Sequence, residues 1–481
     1  MRRLLTDLAR FPLDLVSTLV RGWNDFFFTP ADPTPLALVR IGTGLLLFWS
    51  LAVGGFFDLH AFYGSTSWAD PESVRQLLDE RGGWTFWLYV SDSWLLPVWL
   101  GCLAVVLMFT AGLFSRTTAI LAWVIAVSTA RRTPGLLFGF DQIISTWALY
   151  LAVSGASGQA ISLDRFIARL RAAWAVAARR RIDGANAGPP RWSALGSGVP
   201  APSVAANLGL RLIQLHLTLI YANAGLAKLR GDAWWNGRAA WGLMSAAEFS
   251  PVDFSWVAAY PRLIEAATHI GLLLELALPF LLWARPLRPL GLAVALVMHA
   301  SIGLMLGLNE FSLAMITGCL AFASGPWLRE VVAGRGIEEA GRVLYDAGCP
   351  RCRASIALAL AADPGRAVDP VDYNTTADLK AIHPSLTVEA CHRSMHFVSA
   401  DGRTVRVGFD AVRALACRLP LFWPLAVAGF VPGVAQIGRI AYNRIAAARP
   451  RDGQCNDETC GIHAPHAQDP AQSAAKPGRR P

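Results

Sequence analysis

The chain has 481 residues, of which 54% are hydrophobic and only 16% charged, with 18 tryptophans and a mean hydropathy of +0.39. An ordinary soluble domain carries roughly 25% charged residues, so this composition cannot cover a wholly water-facing surface and excludes a purely soluble protein. The net charge of +9 would suit a nucleic-acid binder, but the arginines cluster in short segments beside apolar runs, which is how charge orients a membrane protein; nucleic acid is excluded as a partner.

Residues 1–30 interleave Arg2, Arg3, Arg10 and Arg21 with Leu, Val, Trp and Phe. They read as an amphipathic helix lying on a membrane surface and not as a cleavable signal. From 31 to 330 apolar runs recur near 35–55, 94–114, 117–137, 139–157, 205–228, 263–283, 286–306 and 309–328. Roughly 17–25 apolar residues cross the hydrocarbon, so the expectation is a mainly α, multi-pass helical bundle of about eight transmembrane helices. The third run is broken at Arg131, Arg132 and Pro134.

An even number of spans returns both termini to one side. Arg116, the cluster Arg169–Arg181, Arg285, Arg288, Arg329 and Arg335 fall on the side of the N-terminus, whereas the opposite loop 57–93 is acidic. Both termini of this integral cell-membrane protein are therefore expected in the cytoplasm. The pair Arg131–Arg132 is discordant.

Ionisable residues interrupt the apolar runs: Arg40, Asp141, His216, Lys228, Glu265, His269, Glu275, His299 and Glu310. Such groups are costly at membrane depth and face a protein interior or a cavity. Each has a structural reading: Arg40 with Asp141 as an ion pair, His269 and His299 as interhelical hydrogen bonders, Lys228 snorkelling at its helix end. Together they outline a polar chamber, with His216, Asn223, His299, Arg40 and Asp141 as its candidates. His216 and Asn223 are seven residues apart on one helix face, and a desolvated Lys228 on the same helix can act as a base.

The segment "YANAGLAKLRGDAWWNG" (Tyr221–Gly237), with "PLALVRIGTGLLLF", "DLHAFYG" and "MHASIGLMLGLNEFSLAMITGCLAF", resembles the vitamin K-dependent γ-carboxylase family and its bacterial HTTM relatives. The resemblance covers about residues 30–330. It implies that Lys228 is the base that deprotonates a hydroquinone, that a quinone is the cofactor, and that His299 stands in the family's later His-containing helix motif. The sequence departs from the carboxylases after 330, where they continue into an extracytoplasmic substrate-holding region. What carries over is a chamber suited to a lipophilic quinol, with a peptide as the other substrate that the HTTM relatives imply.

From Gly341 the pattern becomes that of a small α/β domain, 341–449. A strand (RVLYD), a helix (CPRCRASIALALAAD), a strand (AVDPVDY), a hairpin turning at Asp401–Gly402 and a further helix (FDAVRALACRL) give the βαβ–ββα order of a thioredoxin-like fold. Cys349 and Cys352 stand at C-x-x-C spacing where a helix N-terminus favours the thiolate, and Arg351 adds positive charge. Cys349 is expected to be the more exposed, attacking thiol and Cys352 the resolving one. The alternative, half of a zinc site, needs two further ligands, and Cys391 and Cys417 lack the paired spacing; no metal is expected.

"VLYDAGCPRC", "ADGRTVRVGFDAVRAL", "LPLFWPLA", "VPGV" and "AYNRIAAAR" together resemble the DCC family of thiol-disulfide oxidoreductases, whose Asp-x-x-Cys-x-x-Cys signature falls on Asp346, Cys349 and Cys352. The resemblance implies that Asp346 is a buried acid shuttling protons to the thiols. Ala347-Gly348 stand where the family has Gly-Asp, and Ser394 stands where thioredoxin has its cis-proline. The tail 450–481 reads as disordered. Its Cys455 and Cys460, near His463 and His466, read as exposed thiols, as a second pair exchanging with Cys349 and Cys352, or as a metal site. Cys102 and Cys319 lie in apolar spans as packing residues.

The reading that follows is a membrane-anchored thiol-disulfide oxidoreductase, coupled to a quinone or similar lipid carrier, with protein thiols or disulfides and the bilayer as partners. The alternatives are a carboxylase-like or peptide-maturation enzyme using Lys228, and a non-enzymatic transporter or assembly factor.

Overall fold

The computed structural model describes residues 2–182, 190–196, 198–246, 251–333, 340–363 and 367–448. They fall into two compact units, Met1–Ala168 with Val199–Val332, and Arg169–Gly198 with Ala333–Pro481. The segment Arg169–Gly198, which reads as a loop between spans, thus groups with the C-terminal unit.

The first unit is helical. Among the described residues, five of its helices are long and apolar enough to cross a membrane: Thr34–Val53, Asp92–Ala111, Val204–Lys228, Pro261–Trp283 and Arg288–Leu306. The run at 309–328 is not one straight helix, because Asn309–Phe322 and Gly325–Val332 meet at 120°. Pro326 accounts for the break: it lacks the N–H that would continue the first helix and suits the opening of the next. The runs at 117–137 and 139–157 fold as Ser115–Arg132 and Gly139–Ser154. The second has 16 residues, or about 24 Å of rise, short of a hydrocarbon core of about 30 Å.

Small residues let the backbones close up. A Cβ on Gly42 would lie 2.6 Å from the Thr317 side chain, and one on Gly44 would lie 2.2 Å from Thr110 Oγ1.

Two buried arginines organise the ends of this bundle. Arg40 is fully buried and donates to the carbonyls of Ser157 and Ile161 (2.6 Å), beyond the C-terminal end of Gly139–Ser154. Asp141 sits at the other end of that helix, where it caps the N-terminus by accepting from the Phe138 N–H (3.0 Å). The expected Arg40–Asp141 pair therefore does not form; a whole helix length separates them. Arg132 is also fully buried and donates to Ala69 O (2.9 Å), Gly64 O (3.2 Å) and Ser67 Oγ. Its discordance with the charge rule has a cause: the guanidinium holds the 64–69 turn.

The second unit carries a four-stranded sheet of β1 (Gly341–Tyr345), β2 (Val368–Asp372), β3 (His396–Val398) and β4 (Val405–Val407), in the order β2-β1-β3-β4. β1 runs parallel to β2, with Leu344 beside Val371, and antiparallel to β3, with Leu344 beside His396. The parallel pair requires a crossover, which the helix Pro350–Ala361 supplies. Arg169 donates to the carbonyls of Leu360 (2.7 Å) and Ala361 (3.3 Å) at the end of that helix, where a cation is favoured. Ala173 and Ala177 pack on Ala357, and Trp192 Nε1 donates to Tyr345 OH (2.8 Å), so Arg169–Gly198 is built into this core.

Candidate active site

At the end of β1 the chain turns through Asp346–Gly348 into the helix. The Gly348 N–H donates to Asp346 Oδ1 (2.8 Å), which shapes the turn as an Asx motif. Cys349 is the N-cap and Pro350 the first helical residue, where its missing N–H costs nothing. Cys349 Sγ accepts from the Cys352 N–H (3.3 Å). The Cys349 thiol is brought down to about 6, first by the hydrogen bond from the Cys352 thiol, with the backbone N–H groups of Cys352 and Arg351 helping; burial and the Asp346 carboxylate push the other way.

Two expectations change here. Cys349 is fully buried and Cys352 only half-buried, so the exposed thiol is the second and not the first. The N-cap role explains this: Cys349 Sγ folds back onto the first turn, and Cys352 lines a cavity. Arg351 contributes its backbone N–H to Cys349, while its guanidinium donates to Ala448 O (2.6 Å) at the end of the helix Pro432–Ala447.

Behind the thiols lies a carboxylate pair of which the motif shows only half. Asp346 Oδ1 accepts from Asn374 Nδ2 (2.9 Å), and the same amide donates to Asp372 Oδ1 (3.3 Å), which also accepts from the Ala347 N–H (3.2 Å). Asp346 and Asp372 are both buried. Asp372 closes β2 (Val-Asp-Pro-Val-Asp), where it is buried while Asp369 of the same strand is exposed, a difference that the sequence did not signal. Next to Ser394, which stands where thioredoxin has its cis-proline, the Met395 N–H donates to Tyr442 OH (2.7 Å) and Met395 O accepts from Gly408 N–H (2.9 Å).

The cavity beside Cys352 measures about 610 Å³. Its lining is mainly apolar, with Ile356, Phe409, Leu425, Val434 and Ile437 among the walls and Asp346 and Cys352 at the polar end.

In the first unit the chamber candidates separate. His299 is buried, its Nε2 paired with Tyr221 OH (2.8 Å), and Tyr221 OH also meets Cys319 Sγ (3.6 Å). His299 Nδ1 is buried without a hydrogen-bond partner. Lys228, seven residues from Tyr221 on one helix, donates to Glu275 on Pro261–Trp283 and lies 5.3 Å from the Trp234 ring centroid. His216 pairs through Nδ1 with Tyr150 OH (2.9 Å), while Asn223 is exposed on the helix surface. Arg40 and Asp141 serve the helix ends. Of the five candidates only His299 joins the Lys228 neighbourhood by way of Tyr221; Glu275, noted among the buried ionisable groups, turns out to be the partner of Lys228.

Among the described residues no group of three or more His, Cys, Asp or Glu is placed to hold a metal. Cys391 is buried and Cys417 exposed. Cys455 and Cys460 lie outside the described residues.

A family model described as an HTTM domain matches residues 201–327, and one described as a DCC1-like thiol-disulfide oxidoreductase matches 343–454. The chain therefore carries both domains. No curated protein and no solved structure gives a match.

Proposed function

We propose that this membrane protein is a thiol-disulfide oxidoreductase in which Cys349 and Cys352 pass two electrons between a protein thiol pair and a quinone-type lipid carrier. One observation carries the reading: the accessible sulfur, Cys352, is one helical turn from a sulfur stabilised as a thiolate, Cys349. In the direction that ends on the quinone, a partner thiolate attacks Cys352 of the Cys349–Cys352 disulfide. Cys349 leaves as a thiolate that the backbone N–H groups of Cys352 and Arg351 receive at the helix N-terminus. The partner's second thiolate then attacks its own sulfur in the mixed disulfide and releases Cys352, which takes up a proton. To close the cycle the two thiols re-form their disulfide and hand two electrons to the quinone. One proton comes from Cys352, with Asp346 at the cavity's polar end to relay it, and one from solvent.

The membrane unit supports a polar head group in an apolar setting. His299 Nδ1 is a buried polar atom able to meet a quinone oxygen, and Lys228 with Glu275 adds a charged pair nearby. That same pair favours a second reading, a carboxylase-like enzyme with Lys228 as base, in which product is lost in Lys228→Ala with both cysteines intact. Eight spans and a cytoplasmic redox unit belong to the same proposal.

Trapping tests the assignment. In a background without Cys417, Cys455 and Cys460, Cys349→Ser should accumulate a mixed disulfide through Cys352 when given the disulfide form of a protein dithiol substrate, and Cys352→Ser should not. Oxidation of protein dithiols that is unchanged in both variants would overturn the function.

A further inference from the structure

We propose that the C-terminal helices of the redox unit form a face that docks on the lipid bilayer and opens the cavity beside Cys352 into the lipid. The proposal rests on the reading above, because it names the route by which a lipid-borne carrier reaches the dithiol.

The helices Trp423–Ala428 and Pro432–Ala447 present large apolar side chains outward: Leu425, Val427 and Ile437 are each 69% exposed, Phe430 60% and Ile440 54%. A run of this kind exceeds what an isolated soluble surface carries. On Pro432–Ala447 the polar residues Gln436, Arg439, Asn443 and Arg444 gather on one side with Ile440 among them, Val434, Ile437 and Ile445 are exposed on another, and Ala435 faces the core. The helix thus has an exposed apolar side besides the one the core uses, bordered by polar residues that include two arginines, as in helices that lie in a membrane interface. Trp423 stands at the edge of the patch with its Nε1 donating to Cys417 O (3.0 Å), a placement suited to the head-group level. Cations flank it: Arg413 lies over the Phe430 ring (4.4 Å) and pairs with Asp410 (3.0 Å), and Arg439 reaches the same carboxylate (3.5 Å).

Leu425, Val434 and Ile437 belong to both surfaces, exposed outside and lining the cavity within. The cavity wall is therefore the docking face itself. A lipid surface is the occupant because the chain supplies one. Five membrane-length helices precede this unit, and only short chain segments separate Val332 from Gly341. Such a tether holds the face at high effective concentration near the bilayer.

The test uses the full chain in nanodiscs of phosphatidylcholine with alkyne-tagged acyl chains, and a photoreactive residue at Val427, Ile440 or, as a control, exposed Lys380. Lipid adducts at 427 and 440 but not at 380 are expected; their absence at 427 and 440 overturns the proposal. In Val427→Asp/Ile440→Asp the oxidation of a protein dithiol by a long-chain isoprenoid benzoquinone in the nanodisc should fall at least tenfold, with a short-chain, water-soluble benzoquinone used within twofold of the wild type. An unchanged long-chain rate overturns the route. A wild type inactive with both quinones would instead sink the redox function, and the lipid adducts would still decide the docking.

Discussion

Cys349 is held between opposing influences, and each can be removed singly. The Cys352 thiol hydrogen bond is the largest effect lowering its pKa, and the Asp346 carboxylate acts the other way. Cys352→Ala should therefore raise the midpoint of the Cys349 thiolate absorbance, and Asp346→Asn should lower it. With the wild-type midpoint at about 6, about a tenth of the thiol remains ionised at pH 5. Re-formation of the Cys349–Cys352 disulfide, which starts from the free Cys349 thiolate of the reduced pair, then slows as pH falls through 6 and is insensitive to pH well above it. If Asp346 relays protons, Asp346→Asn slows turnover although it enriches the thiolate; a rate that rises with the thiolate fraction would exclude the relay. The sequence showed this site as far as it is local. C-x-x-C spacing, Pro350 and a helix start are read within four residues, but which sulfur is exposed depends on helices about 80 residues further on, and Asp372 and Asn374 enter only when β2 pairs with β1.

At the scale of the helices, ionisable side chains in apolar runs turned out to hold ends together as often as they form sites. Arg40 satisfies two carbonyls across the bundle, and leaving a buried acceptor unpaired costs about 1–3 kcal/mol. Arg40→Met should lower the melting temperature of the full chain in detergent by that scale of loss, while Asp141→Asn should leave it almost unaltered; equal losses would revive an Arg40–Asp141 pair. Lys228 and Glu275 are coupled differently. A double-mutant cycle of Lys228→Ala and Glu275→Ala should return an interaction of about 1–3 kcal/mol, since each single change strands a partly buried charge that the double change removes. Apolar runs located the long helices of the first unit, because a span needs only length and apolarity, whereas Pro71–Arg81 and Leu163–Ile182 were not among them. Such runs could not pair Arg40 correctly, because which ends of two helices meet is a tertiary fact. The break at 323–325 was written in Ser324-Gly325-Pro326, inside a run otherwise apolar enough to read as continuous.

For the whole molecule, sidedness reduces to one element. Taken as one hairpin, the helices Ser115–Arg132 and Gly139–Ser154 change the number of crossings by two or by none. They leave parity untouched. The five long helices make an odd number, so the side on which the redox unit emerges depends on whether the bent pair Asn309–Phe322 and Gly325–Val332 crosses. Two contacts locate its ends. Glu310 Oε1 accepts from Trp49 Nε1 (3.2 Å), well along the first long helix, whereas Arg329 donates to Asp32, just before that helix begins. From Thr34 to Trp49 is 15 residues, about 22 Å of rise, so the pair descends most of the bundle and finishes level with the start of the first span. A crossing by the bent pair would return the chain after Val332 to the side on which Thr34 begins, the arrangement that the proposed cytoplasmic redox unit requires and that the arginine-rich segments favour. Exposed Cys417 reports it. In a variant whose only cysteine is Cys417, a membrane-impermeant maleimide should label inverted vesicles and spare intact cells. Labelling of intact cells would mean that the bent pair turns back without crossing, and a quinone on the outer side of the membrane would become the partner of the dithiol.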